Sequence, residues 1–580
     1  MPIVAQSTET TDWVSRYADE VIEESERRAP GKPVVVASGL SPSGPIHLGN
    51  LREVMTPHLV ADEIRRRGHE VRHLISWDDY DRYRKVPNGV AGVDGSWGEH
   101  IGRPLTAVPA PKGSPYASWA EHFKAAMVEA LGELGVEFDG ISQTEQYTSG
   151  TYREQILHAM KHRGDIDTIL DQYRTKKAPA KKQSQKAVDE AELEAAEGSG
   201  AAAEDDGFGS AGYYPYKPYC GDCGKDLTTV TAYDDDTTEL TYTCTACDFS
   251  ETVRLSEFNR GKLVWKVDWP MRWAYEGVVF EPSGVDHSSP GSSFQVGGQI
   301  VGSIFGGKQP IGPMYAFVGI SGMAKMSSSK GGVPTPGDAL KIMEPQILRW
   351  LYARRRPNQS FKIAFDQEIQ RLYDEWDKLE GKVADRSALP ADVAAHSRAV
   401  GTAAGELPKT PRPMAYRTLA SVADITAGAE DQTLRILSEL DPADPLSSLD
   451  EVRPRLDRAE AWINTQVPAD QRTVVRKEAD TELIKSLDDQ GRASLRLLLE
   501  GLDSHWSLDG LTHLVYGVPK VQAGFSADAT PKELPAEIKV AQRTFFALLY
   551  HLLVGRDTGP RLPTLLLAVG QERVRKLLGE

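Results

Sequence analysis

The chain has 580 residues, of which 67 are lysine or arginine and 83 are aspartate or glutamate, so the net charge is −16. This acidic balance excludes nucleic-acid binding through the whole surface, and any RNA contact must use a local basic face. The N-terminal sequence lacks the pattern of a signal peptide, and no apolar run approaches the roughly 20 residues that span a bilayer. The length and the four cysteines predict a reduced, cytoplasmic protein of about three or four domains, without a membrane segment.

A first signature lies near the N-terminus, between a predicted strand and a predicted helix. The run Pro33 to Ser38 is typical of a buried parallel strand, and residues 46–67 are predicted to form a helix. The turn between them reads Ser41-Pro42-Ser43-Gly44-Pro45-Ile46-His47-Leu48-Gly49-Asn50. Such a turn before a helix N-terminus lets backbone N–H groups approach a phosphate chain. His47 is therefore expected in the first helical turn, facing an anion.

A second signature, Lys325-Met326-Ser327-Ser328-Ser329-Lys330, is flanked by glycines. Its two lysines are expected to close over the same phosphates and to stabilise charge in the transition state. A histidine near a helix start is by itself more often a cap or a packed surface residue, whereas the lysine loop is more specific. Together the two signatures predict an enzyme that splits ATP at its α-phosphate.

Four cysteines, Cys220, Cys223, Cys244 and Cys247, have the spacing C-x2-C-x20-C-x2-C. This spacing is typical of a structural zinc ribbon, in which four thiolates fill a tetrahedral shell. Two disulfides or four free thiols are the alternatives.

Two further sets of charged residues are candidates for binding. Asp78, Asp79 and Asp81 follow a second predicted strand, although salt bridges to Arg82 and Arg84 would explain them equally well. A local basic face is possible after the lysine loop, and its residues are Arg349, Arg354, Arg355 and Arg356. A solvated helix end is equally consistent with that cluster.

The two signatures, in this order, resemble the His-Ile-Gly-His and Lys-Met-Ser-Lys-Ser sequences of class I aminoacyl-tRNA synthetases. Two departures are that Asn50 replaces the second histidine and Ser328 the second lysine. The surrounding sequence is similar to class I lysyl-tRNA synthetases of archaea and some bacteria. That resemblance rests on residues 37–44, 76–82, 116–123, 265–273 and 280–287, the cysteines, residues 545–550 and residues 559–561.

The resemblance implies a fold and a set of domains. We expect an α/β protein with a Rossmann-like doubly wound parallel sheet, an inserted zinc ribbon and an all-α C-terminal domain. The expected boundaries are 1–175 and 263–335 for the two halves of the catalytic domain, 176–212 for a disordered or low-complexity insertion, 213–262 for the zinc ribbon, 336–400 for a helical connector contacting tRNA, and 401–580 for an α-helical anticodon-binding domain.

The resemblance also implies the site residues. The catalytic group would be His47, Asn50, Lys325, Ser327 and Lys330. The lysine pocket would be Gly39, Ser41, Trp265, His287 and Tyr315, with aromatic walls around the alkyl stem. The ATP site would comprise Ser43, Gly44, His47, Gly49, Gly284, Asp286, Lys325, Met326 and Ser328.

The implied activity is the ATP-dependent attachment of L-lysine to tRNA(Lys) through lysyl-adenylate, with Mg²⁺ accompanying ATP and structural Zn²⁺ on the cysteines. A monomer is expected. Four alternatives remain: a glutamate-type or a cysteine-type class I synthetase, a small nucleotidyltransferase of the same superfamily, and a non-catalytic tRNA-binding paralogue. The zinc ribbon and the long helical tail count against the nucleotidyltransferase.

Overall fold

The computed structural model describes residues 12–174, 208–209, 212–288, 292–321, 332–530 and 534–579. The lysine-loop residues Lys325, Met326, Ser327, Ser328 and Lys330 lie outside the described residues, as do the Asp286 side chain and nearly all of the predicted insertion 176–212.

The chain forms two compact units. The first comprises Met1–Leu340, Pro345–Ala364 and Leu379–Leu407, and the second comprises Lys341–Glu344, Phe365–Lys378 and Pro408–Glu580. Neither unit is therefore a single continuous stretch of sequence.

A parallel sheet organises the first unit. Strand β1 (Val34–Leu40) pairs with β2 (Val71–Trp77), and β2 pairs with β3 (Asp139–Ser142). On the other side of β1, the Ala37 N–H donates to the Phe280 carbonyl at 2.9 Å, and the Glu281 N–H donates to the Ile311 carbonyl at 3.0 Å. The pairing continues in parallel between Ser283–Gly284 and Met314–Tyr315.

This strand order confirms the predicted doubly wound fold, because β1 lies between two halves that extend in opposite directions. In such sheets ligands bind at the carboxyl ends of the strands, where the order reverses. That position is occupied here by the residues that follow β1 and by the segment 281–287.

Helices surround the sheet in the first unit. They are Trp13–Arg28, Leu51–Arg66, Trp119–Glu133, Gln143–Thr148, Arg153–Lys161, Arg163–Arg174, Trp265–Glu276, Val285–Ser288, Ser293–Ser303, Pro345–Ala353 and Pro390–Val400. Ser118 and Glu121 form a capping box that starts Trp119–Glu133. Short 3-10 helices cover Gly95–His100 and Leu105–Ala107, and Pro336–Ile342 and Glu368–Ala384 run from one unit's sequence into the other's.

The cysteines belong to a small antiparallel module. Strands Thr228–Tyr233, Glu239–Cys244 and Ser250–Arg254 form a meander. Tyr216–Pro218 and Gly261–Leu263 pair where the module joins the rest of the first unit. The remaining strand pairs are Phe208–Gly209 with Gly212–Tyr213, Val318–Ile320 with Phe361–Ile363, and Gly401–Thr402 with Gly405–Glu406.

Helices build the second unit. They are Tyr416–Thr426, Glu430–Leu440, Arg455–Gln466, Thr481–Ser486, Asp489–Gly501, Leu508–Gln522, Ala536–Val554, Leu562–Val569 and Gln571–Leu578, with 3-10 turns at Leu449–Val452 and Ala469–Gln471. Apolar side chains of the last helices share one core that includes Leu498, Leu549 and Leu566. The apolar pattern over 565–577 is divided between two helices at Gly570, whose φ of +86° suits glycine. No helix in the described part of the chain is long and apolar enough to cross a bilayer.

The prediction of a basic face at 349–356 is wrong for Arg349. Arg349 is fully buried and donates to the carbonyls of Leu134 and Arg398, each at 2.7 Å. Both carbonyls lie at helix ends, where unpaired acceptors need donors. The Arg354 guanidinium lies over the Trp350 ring at 3.8 Å. Arg349 is therefore structural.

Candidate active site

The first signature forms a tight turn at the carboxyl end of β1. The Asn50 N–H donates to the His47 carbonyl at 2.9 Å, and the helix begins only at Leu51. The prediction of a helix from residue 46, with His47 in its first turn, is therefore wrong. The turn replaces the first helical turn because the Gly49 N–H is used by the His47 ring rather than by a helical carbonyl. His47 thus lies just before the helix.

The hydrogen bonds around His47 fix its charge and tautomer. Its side chain is buried, and this burial lowers its pKa to about 4. Nδ1 accepts the Gly49 N–H at 3.0 Å, so a neutral ring carries its hydrogen on Nε2. His47 can therefore offer one N–H donor to an oxygen atom without adding a positive charge.

A backbone contact joins the first signature to residues that follow the second. The Leu48 N–H donates to the Pro334 carbonyl at 3.0 Å, and the Tyr352 hydroxyl donates to the Leu48 carbonyl at 3.3 Å. The described chain after the lysine loop is therefore anchored at the turn that contains His47.

The five predicted pocket residues come from separate elements. Gly39 lies on β1 and Ser41 follows it, whereas Trp265 begins Trp265–Glu276, His287 lies in Val285–Ser288 and Tyr315 ends Met314–Tyr315. The Trp265 and His287 rings are 6.4 Å apart between centroids. Trp265 also stacks on Trp269 at 5.1 Å. These contacts group Trp265, Trp269 and His287, whereas Tyr315 contacts Glu53 and Gly284.

Gly284, which the resemblance assigns to the ATP site, adjoins Tyr315. A Cβ on Gly284 would lie 3.4 Å from the Tyr315 hydroxyl oxygen, which places Gly284 against the Tyr315 ring. Around the first turn, Gly44 is buried and Ser43 is exposed.

Two carboxylates in this region were missed by the sequence analysis. Glu53 is half-buried and accepts from the Tyr315 hydroxyl at 3.1 Å. Desolvation, and then repulsion from Glu281, raise its pKa to about 8. The buried Glu281 accepts from the Trp269 and Trp273 indoles at 3.0 and 2.6 Å, and desolvation raises its pKa to about 7. A single acidic residue within an otherwise buried run was the available signal for each.

Asp78 is the aspartate candidate that lies closest to this group. A Cβ on Gly39 would lie 3.6 Å from Glu53 Oε1 and 4.0 Å from Asp78 Oδ2. Desolvation raises the pKa of Asp78, although Arg272 donates to it at 2.7 Å. We refer to the carboxyl groups of Glu53, Asp78 and Glu281 as the pocket carboxylates.

The other two aspartates have structural partners. Asp79 accepts from Lys124 at 3.0 Å, from the Ser142 hydroxyl at 2.8 Å and from the Thr144 N–H at 2.9 Å. Asp81 pairs with Lys262. The alternative of salt bridges to Arg82 and Arg84 is met only in part: Arg82 approaches Asp226 at 3.6 Å instead, whereas Arg84 is near enough to help lower the pKa of Asp81.

A cavity of about 410 Å³ has Glu281 in its wall, whereas Glu53 and Asp78 do not line it. Gly39, Trp265, Trp269, Arg272 and Glu281 contribute to its wall. The buried Trp265 Nε1 has no hydrogen-bond partner among the described residues, which leaves one donor for a ligand.

The four cysteine sulfurs fit a zinc ion. They lie within 4.8 Å of one another, with Sγ separations of 3.6 Å for Cys220 and Cys247 and 3.7 Å for Cys223 and Cys244. A tetrahedron with Zn–S bonds of about 2.3 Å has edges of about 3.8 Å. These separations are too long for S–S bonds, so the disulfide alternative is wrong.

Comparisons with known proteins identify the family of this chain. A family model described as tRNA synthetases class I (K) matches residues 11–406. A lysine–tRNA ligase of Streptomyces coelicolor is 88% identical over 100% of both chains, and one of Thermococcus kodakarensis is 32% identical over 98% of this chain and 99% of its own. A glutamate tRNA ligase structure from Elizabethkingia meningosepticum covers 94% of this chain and 98% of its own at 12% identity, with a TM-score of only 0.39. This chain belongs to the class I lysyl-tRNA synthetase family.

Proposed function

We propose that the protein attaches L-lysine to tRNA(Lys) using ATP. The lysine carboxylate attacks the α-phosphorus of ATP, the bond to pyrophosphate breaks, and lysyl-adenylate forms. The 2′-hydroxyl of the terminal tRNA adenosine then attacks the lysyl carbonyl, and AMP leaves. The names of the two curated relatives and their coverage of the whole chain support this reaction.

The pocket carboxylates are the single observation that carries the choice of lysine. Desolvation raises the pKa values of both Glu53 and Glu281, and repulsion from Glu281 raises that of Glu53 further, so a bound cation would stabilise their ionised forms. A lysine ammonium would supply that cation, while the Trp265 ring would hold the alkyl stem. We therefore propose Gly39, Ser41, Trp265, His287 and Tyr315 as the lysine pocket, with Glu53 as the principal ammonium partner.

The same geometry disfavours a glutamate substrate. A glutamate pocket needs a cation that is free to pair with the substrate carboxylate. Arg272, the arginine in the cavity wall, already forms two hydrogen bonds with Asp268 and one with Asp78. The side-chain carboxylate of a bound glutamate would therefore lie near the pocket carboxylates without a cation to neutralise it.

The phosphate chemistry is proposed for the two signatures. His47, Asn50, Lys325, Ser327 and Lys330 would stabilise the crowded α-phosphate, and Mg²⁺ bound with ATP would neutralise the pyrophosphate. The ATP contacts would come from Ser43, Gly44, Gly49, Gly284, Asp286, Met326 and Ser328. The anchoring of Leu48 to Pro334 supports this pairing of the signatures.

Replacing His47 or Lys325 by alanine tests these roles. Each variant should lower the rate of adenylate formation far more than the affinity for lysine, because the lost contacts act mainly in the transition state. Equal losses in rate and affinity would contradict the assignment.

The cysteine module is proposed to hold structural zinc through Cys220, Cys223, Cys244 and Cys247, since four thiolates leave no open coordination position. Metal analysis of the purified protein should find one zinc ion per chain, and Cys244→Ser should reduce that content. Full zinc content in this variant would contradict the proposed ligand set.

The helical second unit is proposed to read the tRNA anticodon, by the stacking and hydrogen bonding that proteins use for single-stranded bases. We also propose that the protein acts in the cytoplasm as a monomer. Sedimentation with and without tRNA tests the oligomeric state.

The deciding experiment is amino-acid-dependent ATP–pyrophosphate exchange with each of the twenty amino acids, with and without tRNA. Exchange with lysine supports the proposal, and exchange with glutamate or cysteine instead would overturn the pocket. If no amino acid supports exchange under either condition, while tRNA still binds in a gel shift, the non-catalytic paralogue is correct.

A further inference from the structure

Five side chains of alternating charge form a series of ion pairs in the first unit. Lys262 pairs with Asp81, and its Nζ lies 3.7 Å from Asp268 Oδ2. Arg272 pairs both with Asp268 and, at 2.7 Å, with Asp78. Each cation therefore bridges two carboxylates. We refer to this series as the ion chain, and its order is Asp81, Lys262, Asp268, Arg272 and Asp78.

The ion chain ends at the proposed lysine pocket. Asp78 Oδ1 accepts from Arg272, and Asp78 Oδ2 lies 4.0 Å from the position of a Cβ on Gly39. Arg272 is the only cation among the described residues that line the cavity beside Gly39, and its guanidinium carbon lies 5.7 Å from the centroid of the Trp265 ring. Arg272 therefore adjoins both a pocket carboxylate and the aromatic ring that is proposed to hold the alkyl stem of lysine.

Several buried groups hold Arg272 in one orientation. Arg272 Nε donates to Asp268 Oδ1 at 3.1 Å, and the Tyr147 hydroxyl donates to the same oxygen at 2.5 Å. The Tyr147 oxygen in turn accepts the Leu263 N–H at 3.2 Å. Arg272 Nη1 also donates to the Ser76 hydroxyl at 3.0 Å, so all three guanidinium nitrogens are engaged. A planar guanidinium that is bound at every nitrogen fixes the position of each of its partners.

Stability alone does not explain the ion chain. Replacement of a buried ion pair by apolar side chains of similar volume is often neutral or stabilising. Two hydrogen bonds with Asp268 already give Arg272 a counter-charge, so the contact with Asp78 is not needed to neutralise it. That contact instead fixes a carboxyl group beside Gly39. A fixed carboxylate and a fixed aromatic ring together set the depth at which an ammonium group can bind.

We propose that Arg272 is a positioning residue that sets the length of alkyl stem accepted by the lysine pocket, because it fixes Asp78 and Trp265. The inference rests on the proposed function, since it concerns the selection of lysine in the same pocket. Ornithine is one methylene shorter than lysine, so its ammonium group would stop short of the fixed carboxylates. One methylene is worth roughly 10- to 200-fold in discrimination by a well-formed pocket, and mobile walls should lose part of that ratio.

A graded series of variants tests this role in ATP–pyrophosphate exchange with tRNA present. The measured quantity is kcat/KM for lysine divided by kcat/KM for ornithine. Arg272→Lys keeps a cation but cannot bridge both carboxylates, so the ratio should fall about tenfold. Asp268 and Tyr147 do not line the cavity, yet Asp268→Asn should lower the ratio about fivefold and Tyr147→Phe about twofold, because each loosens Arg272. KM for ATP should stay unchanged in all three variants.

Arg349→Lys is the matched control, because Arg349 is another buried arginine of the first unit whose partners include the carbonyls of Leu134 and Arg398. It should leave the ratio unchanged even where it lowers Tm. Tyr147→Phe removes a single hydroxyl, so the test remains decisive if Arg272→Lys does not fold. A wild-type ratio throughout the series, with only a lower Tm, would assign the ion chain to the fold and overturn the proposal. If the wild-type protein activates no lysine at all, it is the proposed function that fails.

Discussion

The pocket carboxylates and an ion cluster in the second unit show two ways of burying charge. In the second unit, the buried Arg455 donates to Glu344 at 2.8 Å, to Asp377 at 2.7 Å and to the Met414 carbonyl at 3.1 Å. The Thr410 hydroxyl donates to the second oxygen of Glu344 at 2.7 Å. Here each buried charge meets opposite charge or a hydrogen-bond donor.

The pocket carboxylates are compensated only in part. Glu53 accepts a hydroxyl, Glu281 accepts two indoles, and Arg272 is shared between Asp78 and Asp268. The pKa values, about 8 for Glu53 and about 7 for Glu281, are raised because desolvation outweighs the hydrogen bonds that these carboxyl groups accept and, for Glu281, the attraction of Arg272. A buried cluster in which each charge is neutralised supports the fold, whereas a cluster with excess negative charge is suited to a positively charged substrate.

The largest expected effect comes from breaking the balanced cluster. Arg455→Ala should lower the free energy of unfolding of the protein by about 3–5 kcal/mol, because Glu344 would stay buried without its cation. Urea denaturation measures this loss. Arg453→Ala is the control, since Arg453 pairs with Glu430 and Asp457 at the surface and should cost less than about 1 kcal/mol. Equal losses of unfolding free energy in the two variants would show that the buried cluster stabilises the protein no more than a surface ion pair does.

Glu53→Gln should have the opposite profile. The variant should fold at least as stably as the wild type, because a desolvated carboxyl is removed, but it should raise KM for lysine by about 10- to 100-fold. Charging kinetics with varied lysine measure the change. Glu129→Gln, at an exposed glutamate of Trp119–Glu133, should leave KM unchanged. Unaltered lysine KM in Glu53→Gln would exclude Glu53 as the ammonium partner.

The pH dependence of lysine use tests the same group without substitution. The pKa of Glu53 is raised, so its proton is retained up to about pH 8 and the group becomes ready for an ammonium only as pH rises. We expect kcat/KM for lysine to increase roughly tenfold between pH 7 and pH 8.5, while the lysine side chain stays protonated. The dependence should flatten in Glu53→Gln. A kcat/KM for lysine that falls between pH 7 and pH 8.5 would contradict this prediction.

The same group affects folding stability in the opposite direction. A carboxyl whose pKa is higher in the folded protein than in the unfolded chain makes a contribution to folding stability that decreases as pH rises. For Glu53 this decrease falls between about pH 4.5 and pH 8. Added lysine should therefore raise Tm more at pH 8 than at pH 6.5. Thermal melts of wild type and Glu53→Gln at both pH values measure this difference.

The smallest effect is expected at Glu281. The Trp269 and Trp273 indoles donate to different oxygens of Glu281, so in Glu281→Gln one indole faces an NH2 group and loses its acceptor, which should cost about 1 kcal/mol. Because Trp269 stacks on Trp265, KM for lysine should rise about fivefold with little change in KM for ATP. Glu129→Gln, at an exposed glutamate that does not line the cavity, is the control. A lower Tm with unchanged lysine KM would assign Glu281 to the fold alone.

Sequence periodicity was sufficient for the sheet and the helical tail, because buried strands such as β1 and apolar helix faces such as that of Ala536–Val554 have short-range patterns. The cysteine module was equally predictable from its spacing. The start of the helix at Leu51 was not, since it depends on the ring of His47 taking the Gly49 N–H. Glu53 and the burial of Arg349 were missed because their partners, Tyr315 and Leu134, are distant in sequence, and only folding brings them together. Glu281 was missed although Trp269 and Trp273 lie only 12 and 8 residues away, since no short-range pattern marks an indole as a donor to a buried carboxylate.

The chain crosses from one unit to the other five times, after residues 340, 344, 364, 378 and 407. A stop codon placed after residue 407 would leave Tyr373 without Tyr416, on which it stacks at 4.0 Å. No single cut by a protease, and no simple truncation, can therefore release either unit with its core intact.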